Sequence, residues 1–189
     1  MSCYPCGPCR YPRPYGICNP CPSPCAPSCE KPCETIFNVI SSTNQTINSA
    51  IVEPEDSSIP VTVSFSVDAD TVSKYNTSTN EYTVPCSGYY QLESTINYEN
   101  TVDTEVTLPP RITIQILRNG SAISTQHGIG AVGGNATAIK NGVTLTLVKY
   151  LNKNDILKVT ANVTNIDTTD TIPAGAFRLI ERSFSGFRK

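Results

Sequence analysis

Eight of the nine cysteines fall within the first 33 residues, at Cys3, Cys6, Cys9, Cys18, Cys21, Cys25, Cys29 and Cys33, together with nine of the fifteen prolines. Proline removes an amide donor and bars the α region to the residue before it, so this stretch is neither a helix nor a central strand. It cannot bury a core either, since its only purely aliphatic side chain of any size is Ile17. What it can do is form cross-links at closely spaced points along a stiff, partly polyproline-like ribbon. The division expected is a cysteine/proline-rich cross-linking arm over 1–33, a connector with a possible first strand over 34–59, and a head over 60–189.

With 189 residues the chain holds one good domain and a tail. Its formal charge is −2, and Arg10, Arg13 and Lys31 against Glu30 leave the arm at +2 and the remainder at −4. Neither part offers the concentrated basic face that nucleic acid demands. No apolar run approaches the roughly 20 residues that cross a bilayer as a helix. The opening Met1-Ser2-Cys3-Tyr4-Pro5-Cys6 lacks the charged and apolar pattern of a secretory signal. So many cysteines point to an oxidising setting. The expectation is assembly in a cell that later lyses, or in a particle that carries its own oxidising chemistry.

The arm spacing is Cys-x2-Cys-x2-Cys, eight residues, then Cys-x2-Cys-x3-Cys-x3-Cys-x3-Cys. Three states fit it: disulfides, two four-cysteine zinc sites, or thiols left free or lipid-modified. A knuckle-plus-helix spacer for zinc is missing, and the fourth cysteine comes too late for a bacterial iron–sulfur run. Disulfides are the expectation, and no cofactor. An arm without a core gains little from internal bridges, so bridges between subunits are anticipated. The isolated Cys86 is either the receptor for one of them or a small buried hydrophobe.

Beyond the arm the pattern is all β. Val61, Val63, Phe65 and Val67 alternate without a break. Ile112, Ile114 and Ile116 repeat the pattern, as do Tyr90, Leu92, Ile96 and Tyr98, then Val143, Leu145 and Leu147, then Leu157, Val159, Ala161 and Val163. Thr35 to Ile40 and Ala176 to Phe187 supply the first and last strands. Asn119-Gly120 is the strongest hairpin signal, because both residues tolerate positive φ. Lys153-Asn154-Asp155, Ser87-Gly88 and Asn141-Gly142 mark further reversals. Eight to ten short strands punctuated in this way predict a sandwich or jelly roll. An immunoglobulin-like sandwich would call for a buried tryptophan and paired intersheet cysteines.

The run from Tyr75 through Tyr82-Thr83-Val84-Pro85-Cys86-Ser87-Gly88-Tyr89-Tyr90-Gln91-Leu92 resembles the signature of the complement globular-head and tumour necrosis factor-like superfamily. Gly142 to Leu147 with Leu151 to Val159 is similar to its paired strands around an "L–x–x–G–D–x–V" turn. Ser183-Phe184-Ser185-Gly186-Phe187 is similar to its closing motif. The resemblance covers roughly residues 60–187 and implies a ten-stranded jelly roll that assembles as a trimer. Tyr82, Pro85, Gly88, Tyr89, Tyr90, Phe184, Gly186 and Phe187 carry the implied core and trimer signature. Asn80 and Asn154 stand where the family has turn glycines, a substitution asparagine tolerates through the left-handed region. The cysteine arm replaces a collagen-like stalk.

Other motifs point to no chemistry. Gly128-Ile129-Gly130-Ala131-Val132-Gly133 matches a dinucleotide fingerprint literally, but no helix pattern follows it, so it reads as a loop. His127, the only histidine, reads as a polar surface residue, and no nucleophile elbow exists. Glu53, Glu55 and Asp56 read as a solvated loop. Asp68, Asp70, Glu99 and Asp103 could offer oxygens to calcium but lack a dedicated loop. Five Asn-x-Ser/Thr sequons, at Asn44, Asn76, Asn119, Asn135 and Asn162, reflect a hydroxyl-rich, weakly charged surface suited to packing against identical copies.

A non-enzymatic structural surface protein follows as the leading expectation. It is a homotrimeric head joined through its arm to the next subunit, head to tail or into a coat, with other coat or appendage proteins as further partners. The expected setting is a cell-exterior structure, a bacterial spore appendage or exosporium; no nucleic acid or membrane is expected to bind. Alternatives are a surface or spike protein of a large DNA virus, an adhesin head binding glycan or protein, and a zinc-organised scaffold.

Overall fold

The computed structural model describes residues 35–47, 60–100, 111–129, 140–164 and 175–189. The arm, Asp103 and Gly130 to Gly133 lie outside them. The described residues form twelve strands and no helix: β1 (Ile36–Ser41), β2 (Gln45–Ile47), β3 (Val61–Thr62), β4 (Ser66–Asp70), β5 (Tyr75–Asn76), β6 (Glu81–Thr83), β7 (Gly88–Asn100), β8 (Arg111–Arg118), β9 (Ser121–Ile129), β10 (Lys140–Leu151), β11 (Ile156–Thr164) and β12 (Phe177–Arg188). Two six-stranded antiparallel sheets result. One runs β10-β7-β12-β1-β4 with β2 beside β12; the other runs β5-β6-β11-β8-β9 with β3 beside β11. The fold is an all-β jelly-roll sandwich. Residues 36–41 and 45–47, placed in the connector by sequence, contribute β1 and β2 to the first sheet.

Alternation dictates which face of each strand is buried. Ile112, Ile114 and Ile116 on β8, Leu157, Val159, Ala161 and Val163 on β11, and Tyr90, Leu92, Ile96 and Tyr98 on β7 all point into the core. An aromatic cluster locks the two sheets together. Phe37 of β1 stacks on Tyr82 of β6 with ring centroids 3.9 Å apart. Phe184 of β12 meets Phe37 edge-on at 5.0 Å. Truncating one such ring typically costs about 3–5 kcal/mol.

Two readings of the sequence are corrected here. The run from Val61 to Val67 is not one strand: β3 pairs with β11 in the second sheet, and β4 pairs with β1 in the first. Val63 and Phe65 fill the core between them, whereas Val67 faces outward. Side chains replace the ladder where the chain crosses, because buried amides need acceptors. Gln45 accepts from the Ser64 amide at 3.0 Å, and Asn80 accepts from the Phe65 amide at 3.2 Å. Asn141-Gly142 is likewise no reversal, but lies inside β10 opposite Tyr98 and Asn97. A Cβ at Gly142 would stand 2.5 Å from Asn97 Oδ1, the tip of a side chain on the neighbouring strand.

The turns read at Asn119-Gly120 and Lys153-Asn154-Asp155 match the structure, whereas Gly88 of the Ser87-Gly88 reading opens β7. Asn119 (φ 50°) and Gly120 (φ 84°) join β8 to β9, and Asn80 (φ 55°) and Asn154 (φ 70°) sit in the left-handed region.

Candidate functional site

Cross-strand register brings distant parts of the chain to one end of the first sheet. Ile36, which opens β1, stands opposite Phe187 near the end of β12. The Arg188 amide donates to the Thr35 carbonyl at 3.1 Å, and the Lys189 amide donates to the Tyr89 carbonyl at 2.8 Å. Thr35 is therefore the root of the arm, and it emerges one strand away from the beginning of β7. Strands lie about 4.8 Å apart, which places β1 roughly 10 Å from β7 across β12.

Cys86 is on the segment that leads into β7 at this same end. It is half-buried. Tyr90 donates its hydroxyl proton to the Cys86 carbonyl at 2.8 Å, fixing the segment to the core side of β7. Pro85 precedes it and withholds an amide. Gly88 packs against the Arg188 side chain, and a Cβ there would meet Nε at 2.5 Å.

The signature residues divide into two groups by face. Tyr82, Tyr90 and Phe184 are core, and Gly186 lies beneath Phe37 and Leu92. Burial pushes the Tyr82 hydroxyl pKa well up, with Tyr90 and Asp70 adding to the shift. Tyr89 and Phe187 face outward. They belong to an apolar patch that sequence reading missed: Ile36 (55 % exposed), Tyr89 (59 %), Val148 (50 %), Tyr150 (47 %) and Phe187 (42 %). Tyr89 lies opposite Tyr150, their rings 5.3 Å apart and edge to face. Val148 and Phe187 lie on either side of Gln91. The signal was present in the sequence. Val148 and Tyr150 are out of phase with Val143, Leu145 and Leu147, so they fall on the opposite face of β10.

A second feature lies toward the other end of this outward face, a cleft of about 610 Å³ whose lining includes Ile40, Val67, Asp68, Asn97, Glu181 and Arg182. Arg182 is buried, and burial lowers its pKa. Its guanidinium donates to the Ser64 carbonyl (3.2 Å), the Leu179 carbonyl (2.9 Å) and the Ser41 hydroxyl (2.8 Å).

Among the described residues the calcium candidates Asp68, Asp70 and Glu99 form no cluster that could hold a metal ion. Asp68 accepts from Asn38 at 3.0 Å, while Asp70 accepts the amides of Val72, Lys74 and Tyr75, closing its own turn. Glu99 is buried and paired with Arg178. His127 is exposed on β9, its Nδ1 2.9 Å from the Thr113 hydroxyl. The eight arm cysteines lie outside the described residues.

No family model matches the sequence, and no curated protein matches it. Among solved structures the chain is similar to the crystal structure of murine APRIL at pH 5.0. The TM-score is 0.49 at 9 % sequence identity, over 82 % of this chain and 99 % of that one.

Proposed function

We propose that this chain is a structural surface subunit. Its jelly-roll head assembles as a homotrimer, and its arm forms disulfides to neighbouring copies, building a fibre, appendage or coat on a cell-exterior structure. The exosporium or an appendage of a bacterial spore is the favoured setting, with a virion surface as the alternative.

One observation carries the reading: the half-buried Cys86 and the arm root Thr35 emerge at the same end of the same sheet. Cys86 is a disulfide-forming position beside the place where the arm departs, and a bridge from it to a neighbour's arm would permit head-to-tail propagation. Parity supports it as well. Nine cysteines are an odd number, so a fully oxidised chain carries at least one cysteine bonded outside itself. The trimer follows from the sequence resemblance around Tyr82 to Leu92 and Ser183 to Phe187.

Electrophoresis of alkylated protein with and without reductant tests the reading. The expected result is a ladder or excluded material that collapses to the 20.4 kDa chain only on reduction. Substituting Cys86→Ala should shorten the ladder. A single 20.4 kDa band in both lanes would overturn the proposal.

A glycan- or protein-binding head is a second reading, favoured by the cleft over Ile40 and Val67 with Asp68, Asn97 and Glu181 along it. An apolar floor with amide and carboxylate groups on its walls suits a sugar ring. A glycan array read against the Asn97→Ala variant tests it, and an absence of hits would count against it.

A further inference from the structure

The head fastens the backbone on both sides of Cys86. Val84 donates to the Asp155 carbonyl at 2.8 Å and accepts from the Asn154 amide at 2.7 Å. Beyond Cys86, the Lys153 amide donates to the Ser87 hydroxyl at 2.9 Å, and the Tyr90 hydroxyl holds the Cys86 carbonyl. Cys86 is only half-buried, and it is disulfide-bonded. Every other cysteine of the chain lies between Cys3 and Cys33, so this bridge ties a rigid point of the head to the arm. Its surroundings suit an approaching thiolate, because cations stabilise an anionic sulfur. Lys153 belongs to the turn bonded to Ser87, and the Arg188 side chain lies against Gly88. Asp155 of the same turn is neutralised by Arg118 at 2.8 Å.

Parity supplies the attacking group. Cys86 and its partner, taken from nine cysteines, leave seven in the arm. Seven is odd, so a chain whose bridges are all internal still keeps at least one arm thiol. A disulfide at a fixed point of the head and a spare thiol on a tether are the two reactants of thiol–disulfide exchange. At about 3.1 Å per residue, an extended stretch as long as the arm reaches up to roughly 100 Å, far enough to meet Cys86 of another copy.

We infer that the Cys86 bridge is an exchangeable link, which passes from a chain's own arm to the arm of a second copy and relays assembly without an oxidant. An arm thiolate of one copy attacks the Cys86 sulfur of the next. A sulfur–sulfur bond forms between them, the bond from Cys86 to its own arm breaks, and that arm cysteine leaves as a thiolate. The attacking thiol has given its proton to water and the leaving sulfur regains one, so one bridge is broken for each one made. The expelled thiolate then attacks Cys86 of a third copy. In dilute protein the tether holds a chain's own arm at roughly millimolar effective concentration, so the bridge closes on itself. Among packed copies a neighbour's arm competes with it. The outward Tyr89/Phe187 face stays available for contacts between heads. This inference rests on the assembly reading above and names how the link is transferred.

The test uses the full chain in ¹⁴N and ¹⁵N forms, each oxidised at high dilution so that bridges close within chains. Equal amounts are mixed and concentrated under argon with no oxidant, then trapped with a maleimide and digested for mass spectrometry. The expected result is a growing ladder in which about half of the Cys86 bridges join an arm peptide of the opposite isotope, as free exchange between equal pools requires. The number of thiols per chain, read by maleimide uptake, should stay constant. Blocking thiols with maleimide before mixing should abolish both the ladder and the mixed-isotope bridges. Cys86 bridges that keep their own isotope, or that mix despite prior blocking, would overturn the inference. A ladder that grows only with added oxidant, as thiols are lost, leaves the covalent assembly standing while the relay falls. Mixed-isotope Cys86 bridges with no product larger than a pair would do the reverse.

Discussion

Tyr89 on β7 and Tyr150 on β10 face each other across two neighbouring strands and meet edge to face, on the side of the sheet turned away from the core. Edge-to-face rings place the positive rim of one on the negative face of the other, and such pairs add about 0.5–1.5 kcal/mol beyond buried area. A double-mutant cycle with Tyr89→Ala and Tyr150→Ala, followed by urea unfolding under reductant, should return a coupling in the lower half of that range. Coupling near zero would mean that the rings part in solution. Because both side chains are exposed, each single variant should stay folded.

Gly186 stands in the closing Ser-Phe-Ser-Gly-Phe segment for a steric reason. A Cβ there would lie 2.5 Å from a ring carbon of Phe37 and 2.7 Å from a methyl carbon of Leu92. Phe37 cannot retreat, since it is stacked on Tyr82 and met edge-on by Phe184. Gly186→Ala should therefore destabilise by about 1–3 kcal/mol, the usual cost of forcing an extra methyl into a filled core. Thermal or urea unfolding measures it. An unchanged midpoint would show that the cluster repacks freely.

The strands were legible wherever two-residue alternation carried the whole signal, as along Ile112, Ile114 and Ile116. Hairpins were legible where backbone chemistry is local, as at Asn119-Gly120. The misreadings at Val61–Val67 and Asn141-Gly142 share a physical cause. A switch between sheets, and the pairing of Asn141-Gly142 with Tyr98 and Asn97, are decided by partners far away in the chain. The site has the same character. Cys86 is conspicuous in the sequence, yet its nearness to the arm root depends on β12 lying between β1 and β7. That is a register set by residues roughly 90 to 150 positions apart, and no local pattern encodes it. The outward patch was within reach of the sequence, because Tyr150 breaks phase with Leu145 and so falls on the opposite face of β10.

Arg182 illustrates a polar group retained for shape. The register of β12 slips between Leu179 and Arg182, a bulge that leaves the Leu179 carbonyl turned inward. The Arg182 guanidinium returns to that carbonyl at 2.9 Å and holds Ser64 and Ser41 with its other nitrogens. One planar fork thus satisfies three acceptors where the chain crosses between sheets. A lysine has a single nitrogen and no fixed fork. Arg182→Lys should lose about 2 kcal/mol or more, because acceptors formerly paired with a charged donor are left buried. Urea unfolding of the two proteins at equal pH measures the difference, and agreement within about 0.5 kcal/mol would remove the fork from the account.

Asp155 ties two turns together and makes stability depend on acid. Burial raises its pKa. That effect is outweighed by the Asn152 amide (2.6 Å), the Asn119 side-chain amide (2.8 Å) and Arg118 Nε (2.8 Å), so the carboxyl titrates below its ordinary value. Asn119 in turn accepts from the Ile156 amide at 2.8 Å, which clamps the β8–β9 hairpin to the start of β11. A carboxylate with a depressed folded pKa stabilises fully above its unfolded value near 3.9, and that contribution disappears as pH falls through the folded value. Asp155→Asn should cost about 1–3 kcal/mol near neutrality, since the amide turns a donor toward groups that already donate. The variant should also lose less stability than the parent between about pH 6 and pH 2.5, because the linked proton is gone. Parallel urea titrations at the two pH values decide it. Equal acid losses in the two proteins would show that Asp155 is not the group whose protonation loosens the clamp.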